Sequence, residues 1–153
     1  MNQATAQSLF FYENGVLYWK HNKKIAGTKH KSGYIDISVN KKKYKAHRII
    51  FLLLNGYIPI FIDHINCIKH DNRIENLREA SGSQNQYNTL KRKTNTSGYK
   101  NVYWEKSRNK WRVEIRIGNS KYKVVGRFND LNDAVDAATK ARENYHGNFA
   151  RHT

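Results

Sequence analysis

Lys110-Trp111-Arg112-Val113-Glu114-Ile115-Arg116-Ile117 alternates without a break. Trp111, Val113, Ile115 and Ile117 point one way, and Lys110, Arg112, Glu114 and Arg116 the other. A strict period of two is the pattern of a strand with one buried face. Gly118-Asn119-Ser120 reads as a turn, Lys121 to Phe128 as the returning strand, and Asn101 to Glu105 as an earlier one. Leu131, Ala134, Val135, Ala138 and Ala141 then recur at helical spacing, which predicts an amphipathic helix over residues 131–145 with Asp130 or Asn129 as its cap. Three strands followed by one helix make a small α+β module whose sheet packs one face on the helix.

Charge is segregated within this module. Residues 97–127 hold nine basic and two acidic residues, whereas residues 128–145 hold two basic and four acidic ones. The outer sheet face is therefore positive and the helix is not, a division that suits a sheet docking onto a polyanion. The whole chain carries 28 Lys and Arg against 12 Asp and Glu, a formal net charge of +16 over 153 residues. Nucleic acid is the first partner to consider and an anionic membrane the second. Membrane docking usually employs a basic amphipathic helix, but here the basic residues fall mostly in strand-like segments.

Ten Tyr, six Phe and three Trp exclude a wholly disordered basic tail, because such tails lack aromatic residues. The single cysteine, Cys67, excludes an internal disulfide and any cysteine-based zinc finger. The longest apolar run, Ile49 to Leu54, is six residues, against the ~20 that span a bilayer. The first residues, MNQATAQ, lack the basic and then apolar pattern of a signal peptide. These features lead to the expectation of a soluble, cytoplasmic protein.

Residues 1–60 carry ten basic and two acidic residues. Gly15 to Lys20 reads as a strand after an Asn-Gly turn, and Gly33 to Val39 alternates with period two. Asn40 to Lys43 is a polar turn, Tyr44 to His47 the hairpin's second strand, and Arg48 to Asn55 a short buried helix stopped by Gly56. Lys41, Lys42 and Lys43 serve equally as a solvated tip or as phosphate contacts. Further on, Phe61-Ile62 leads in as a strand, and Ser81 to Leu90 suits a short helix capped by Ser81 or Ser83. Lys91 to Gly98 is polar, basic and without apolar periodicity, so it reads as a linker able to lie along DNA.

Residues 63–88 concentrate chemistry: Asp63-His64 stands near Asn66, Asn72, Asn76, Asn85 and Asn88. A carboxylate with amide oxygens makes the hard, oxygen-rich site that Mg²⁺ or Mn²⁺ accepts. A histidine beside it can take a proton from water near neutral pH. The same residues also suit a plainer account, in which Asp63-His64 is a surface hydrogen bond and the asparagines form turns and caps.

Order and spacing add to this. Ile62-Asp63-His64-Ile65-Asn66, then Lys69-His70-Asp71-Asn72-Arg73-Ile74-Glu75-Asn76-Leu77-Arg78, then Ser83-Gln84-Asn85-Gln86-Tyr87-Asn88 resemble the HNH homing endonucleases of phages, in the subgroup whose last motif position is Asn. Ala46-His47-Arg48 resembles the segment that precedes the motif, so the likeness spans about residues 40–90. The resemblance implies a ββα-metal (His-Me finger) unit. In it His64 is the general base, Asp63 and Asn85 ligate one divalent ion (Mg²⁺ or Mn²⁺), and Asn76 orients His64. Cys67 departs from the pattern, standing where the family commonly has a glycine in a left-handed turn. His70 is expected to be solvated and His47 to be a packing residue.

Ser97 to Val102, Lys110 to Ile115, Gly126-Arg127-Phe128 and Asp133 to Ala138 resemble the AP2/ERF DNA-binding domains over about 55 residues. That likeness implies a sheet entering the major groove, with Lys100, Tyr103, Trp104, Arg108, Arg112 and Arg116 facing DNA. Trp111, Val113, Ile115 and Phe128 would be core. Asn101 departs from a frequent glycine.

The resulting expectation is an α+β chain of three parts. Residues 1–90 form an HNH nuclease domain with a β-rich amino-terminal extension, residues 91–98 a basic linker, and residues 99–153 an AP2/ERF-like domain. Its function would be metal-dependent hydrolysis of double-stranded DNA, leaving 5′-phosphate and 3′-hydroxyl ends. It would need neither membrane nor protein partner. A monomer is expected to nick, while a dimer would cut both strands. The rivals are a DNA-binding regulator with an inactive HNH unit and an RNA-directed protein whose Tyr103 and Trp104 stack unpaired bases.

Overall fold

In the computed structural model, which describes residues 1–153, the chain opens with a helix, α1 (Gln3–Leu9), whose first turn is capped by the Asn2 side chain. The strands β1 (Phe10–Glu13) and β2 (Val16–Trp19) form an antiparallel hairpin across Asn14-Gly15, both of positive φ. That conformation is what an Asn-Gly dipeptide supplies in a two-residue turn. A Cβ on Gly15 would stand 2.8 Å from the Arg73 backbone nitrogen, so the turn also needs glycine to lie against the 72–73 segment. A second antiparallel sheet holds β3 (Thr28–Lys29), β4 (Ile35–Val39) and β5 (Lys42–Lys45) in that order.

The hairpin tip is tighter than the sequence predicts. Asn40 and Lys41 alone form the turn, both at positive φ, so Val39 already pairs with Lys42. The returning strand consequently ends at Lys45, and helix α2 (Ala46–Asn55) begins where His47 was expected in a strand. Gly56 ends α2 in the left-handed conformation, as expected. The next hairpin pairs β6 (Phe61–His64) with β7 (Leu77–Ala80), with a short 3₁₀ turn at Ile74–Asn76 between them. These elements share a core of Phe10, Leu17, Ile37, Ile49, Ile50 and neighbours.

Met1–Ala80 is one compact unit and Ser81–Thr153 the other. Packing thus divides the chain before the basic stretch that composition marks as a linker. Helix α3 (Gly82–Tyr87) starts the second unit behind a capping box, in which Ser81 and Gln84 satisfy each other's backbone N–H. Its Tyr87 ring stacks on His146 at 3.9 Å. The expected linker is tied down within its unit: Lys91 Nζ donates to the Gly98 carbonyl and Asn95 Nδ2 to that of Tyr99.

The second unit continues with β8 (Val102–Glu105), β9 (Lys110–Gly118) and β10 (Lys121–Phe128) in an antiparallel sheet of order β10-β9-β8. Helix α4 (Leu131–His146), capped by Asp130, lies on one face. Val102, Val113, Ala134 and Ala138 are fully buried between them, with Trp111 and Phe128 packed at the margin. Ile115 is likewise buried, but Ile117 is exposed, so the buried alternation stops one step earlier than the sequence suggests. The chain is α+β, with several small antiparallel sheets and four helices. No helix is long and apolar enough to cross a membrane.

Candidate active site

Asp63 and His64 end β6, where β-pairing sets Asp63 opposite Arg78 and His64 opposite Leu77. Both are buried, at 4% exposure each. A buried carboxylate requires a partner, and Arg78 supplies one, its Nε and Nη2 each 2.8 Å from Asp63 Oδ2. His64 Nε2 donates to Asn72 Oδ1 at 3.0 Å, which fixes the imidazole and leaves Nδ1 as its basic atom. Burial pushes the His64 imidazole below its ordinary pKa, so the ring is neutral at pH 7.

The loop from Ile65 to Asp71 is held by Asn76. Its Oδ1 accepts from the Asn66 N–H at 3.0 Å, and its Nδ2 donates to Asn66 Oδ1 at 3.0 Å and to the Asp71 carbonyl at 2.7 Å. The Ile65 N–H in turn donates to the Asn76 carbonyl at 2.9 Å. The Asp71 carboxylate is clasped by Arg73 and Asn66, and the guanidinium holds it well below the usual carboxylate range. Cys67 adopts the left-handed conformation, φ 63°, at the position where the sequence departs from a glycine. His70 is exposed, as expected.

Four residues touch His64 or Asp63 with no active-site role expected from the sequence, and of these only His47 is expected to pack. Asn72, the hydrogen-bond partner of His64, and Arg78, that of Asp63, lie inside the motif. His47, on the first turn of α2, sets its ring 5.0 Å from His64, edge to face, and Tyr34 stands 5.2 Å from His47 and 5.9 Å from His64. Burial, and then the nearby His64, hold the His47 imidazole at a pKa of about 3. Its one sequence signal was the Ala46-His47-Arg48 stretch. Nothing in the sequence marks Tyr34.

The structure thus brings Asp63, His64 and Asn76 together. Asn85 lies half-buried on α3, an element of the second unit. No three His, Cys, Asp or Glu side chains cluster as a ligand set. A hard cation held through one carboxylate and amide oxygens, with the rest of its shell from water and phosphate, is how Mg²⁺ is commonly bound. Taken each within its own unit, Asp63 offers such a carboxylate and Asn85 such an amide oxygen.

In the second unit, Tyr103 pairs with Arg112 and Arg116 with Tyr122 on the sheet face turned away from α4. Trp104 pairs with Trp111 on the opposite face, their rings 4.8 Å apart and T-shaped, because neighbouring strand residues alternate sides. Tyr103 and Trp104, both expected to face DNA, thus lie on opposite faces of the sheet. Lys100 is engaged internally, its Nζ donating to the Tyr87 and Thr89 carbonyls at 2.8 and 2.5 Å. Arg108 is exposed, Arg112 is paired with Glu114, and Arg116 lies over the Tyr122 ring.

The HNH endonuclease family matches residues 44–87, the stretch from β5 through α3. The chain is 34% identical over 116 residues to Protein 3.8 of Escherichia phage T7, an alignment covering 72% of this chain and 94% of that protein. It is also 43% identical over 61 residues to an uncharacterized HNH endonuclease of Acanthamoeba polyphaga mimivirus, covering 38% of this chain and 32% of that protein. No solved structure matches the chain. The HNH match implies nuclease activity on DNA. With nearly the whole length of the T7 protein aligned, and the matched segment running through the Asp63-His64 strand end, the chain belongs to the family of phage T7 Protein 3.8 and carries an HNH endonuclease domain.

Proposed function

We propose that this protein is a metal-dependent, homing-type endonuclease that hydrolyses a phosphodiester bond of double-stranded DNA. The observation that carries the reading is the buried His64, neutral and fixed through Nε2 by Asn72, beside the Asp63 carboxylate. His64 accepts the proton of the attacking water at Nδ1, and a neutral ring at pH 7 is already competent to do so. Asn76 keeps the loop that follows His64 in one conformation, so the base is positioned before substrate arrives. Asp63 and Asn85 hold one Mg²⁺ or Mn²⁺ ion. When bound, that ion supplies positive charge to offset the negative charge developing on the phosphate oxygens.

In this reading β6, β7 and α3 form the ββα-metal unit, so the nuclease domain runs to about residue 90 and includes the helix that carries Asn85. The β8-β9-β10 sheet with α4 acts as an AP2-like module that positions the nuclease on DNA. Tyr103, Arg108, Arg112 and Arg116 contact the nucleic acid, while Lys100 and Trp104 act indirectly, by bracing the α3 end and the sheet. A bidentate arginine contact to a base is worth roughly 1–3 kcal/mol of discrimination.

A second reading, a DNA-binding regulator with an inactive HNH unit, draws on the Arg78 guanidinium that already occupies Asp63 Oδ2. Supercoiled-plasmid nicking separates the two. The intact chain is expected to relax plasmid carrying its own genomic DNA in Mg²⁺ or Mn²⁺ and to stop in EDTA. His64→Ala should bind as before and lose about 10²–10⁴-fold in rate. Equal cutting in EDTA, or binding without cutting by both proteins, sinks the nuclease reading.

A further inference from the structure

On the outer face of the β8-β9-β10 sheet lies a groove of about 830 Å³. The sheet lines it with Tyr103, Arg112, Glu114, Arg116 and Tyr122, the Glu114 carboxylate being paired with Arg112, and most residues between Gln86 and Thr96 form a wall beside them. The basic stretch that composition marks as a linker thus folds along the face expected to meet DNA. That wall narrows the approach to the sheet. The volume falls within the ~300–1,000 Å³ range of sites for small ligands and suits about one or two nucleotides.

The chemistry of the lining is asymmetric. Three buried polar atoms of this groove have no hydrogen-bond partner: His146 Nδ1, Asn101 Oδ1 and Arg112 Nε. His146 is 7% exposed. Its Nε2 donates to the Arg116 carbonyl at 2.7 Å, so Nδ1 is an acceptor, and burial keeps the ring neutral by lowering its pKa. Asn101 Nδ2 donates to the Glu114 carbonyl at 3.0 Å, which orients Oδ1 as a second acceptor. Arg112 Nε is a donor. Buried acceptors left unfilled are costly, and they select a ligand that brings N–H groups. Among unpaired bases, adenine, cytosine and guanine each carry an exocyclic amine with two N–H donors for the two acceptors, whereas thymine brings only its single imino N–H. Tyr103 and Tyr122 add aromatic surface for stacking, and Arg92 and Arg116 add charge for phosphate.

We propose that this groove binds an unpaired segment of DNA, stacking bases on Tyr103 and Tyr122 and accepting the exocyclic amine of an adenine, cytosine or guanine at His146 Nδ1 and Asn101 Oδ1. The site resides wholly within the second unit and does not depend on the chemistry of His64. It deepens the positioning role proposed above by giving that unit a single-stranded ligand besides duplex.

The test uses the full chain carrying His64→Ala, so that nucleic acid stays intact. Fluorescence anisotropy with labelled oligo(dA), oligo(dC), oligo(dT), oligo(rA) and a duplex gives five affinities. Oligo(dA) and oligo(dC) should bind about tenfold tighter than oligo(dT). Tyr103→Ala, at an exposed position, should weaken both by about tenfold with an unchanged melting temperature. Should that variant unfold, Tyr122→Ala serves in its place. Equal affinity for the three DNA strands, or full affinity in both tyrosine variants, overturns the site. Tenfold tighter binding of oligo(rA) than oligo(dA) overturns its assignment to DNA. Duplex binding without single-strand binding discards the groove and leaves the proposed positioning on duplex intact, whereas the converse discards duplex positioning and keeps the groove.

Discussion

Around His64 the chain is ordered by side chains that bond to one another and to backbone: Asn76 to Asn66 and Asp71, Asn72 to His64, Arg78 to Asp63. In the second unit order comes instead from apolar burial, with Val102, Val113, Ala134 and Ala138 closed between sheet and helix and Ile115 buried as well. The difference is physical. Hydrogen-bond networks fix orientation at a net gain of only ~0.5–1.5 kcal/mol per bond, while apolar burial supplies stability with little directionality. A site that must aim an imidazole is built from the first, and a module that must present a rigid face from the second.

The two kinds of residue should fail in different ways. Ile115→Ala should cost about 3 kcal/mol of stability in the second unit, a core deletion, and leave the cutting rate per folded molecule nearly unchanged. Asn76→Ala should show the opposite balance, with a stability loss of about 1–2 kcal/mol and a fall in cutting of about 10–100-fold. Paired denaturant melts and nicking rates on both variants check this. If Asn76→Ala unfolds the chain as readily as Ile115→Ala, the division between aiming and stabilising residues is wrong.

Acid sharpens the same contrast. His47 titrates at about 3 in the folded chain and near the ordinary ~6.5 when unfolded. A folded pKa below the unfolded value means that the unfolded chain binds the proton first. The stability this group confers is therefore complete above pH 6.5 and lost as pH falls toward 3. At pH 5 the loss is about 2 kcal/mol. His64 shifts in the same direction in the same unit, so the first unit holds two histidines lowered by burial against one, His146, in the second. Hydrogen exchange resolved by residue between pH 7 and 5 should show Met1–Ala80 opening first, and His47→Phe should remove most of that sensitivity. Equal acid sensitivity of the two units would count against His47 as its source.

Legibility in the sequence follows the same line. The Lys110–Ile117 alternation and the 131–145 helical spacing were readable because periodicity reports burial, and the sheet and α4 stand there. Asp63, His64 and Asn76 were readable only through a resemblance, since hydrogen-bond partners obey no period. The contacts of Asn72, Arg78 and Tyr34 accordingly leave no trace in the sequence pattern. The local order of the 91–98 stretch is hidden for a related reason. Its lysine and asparagine bond to nearby carbonyls, and polar composition gives no sign of such local satisfaction.

The smallest effect tests the two units at matched backbone positions. Cys67 and Asn101 both stand where the resembled families favour glycine, and both have positive φ, 63° and 70°. A β carbon in this region costs roughly 1–2 kcal/mol, and asparagine tolerates it better than most residues. Asn101 also uses its Nδ2 to bond the Glu114 carbonyl, so the side chain offsets the strain. Cys67→Gly relieves that strain at the expense of a more flexible unfolded chain. Cys67→Gly should therefore raise the melting temperature of the first unit by about 2–4 °C, corresponding to a gain of about 0.5 kcal/mol. Asn101→Gly should lower that of the second, because it deletes a hydrogen bond along with the strain. Two melting curves decide it, and a Cys67→Gly variant less stable than the parent would show that the thiol side chain contributes packing that outweighs its backbone strain.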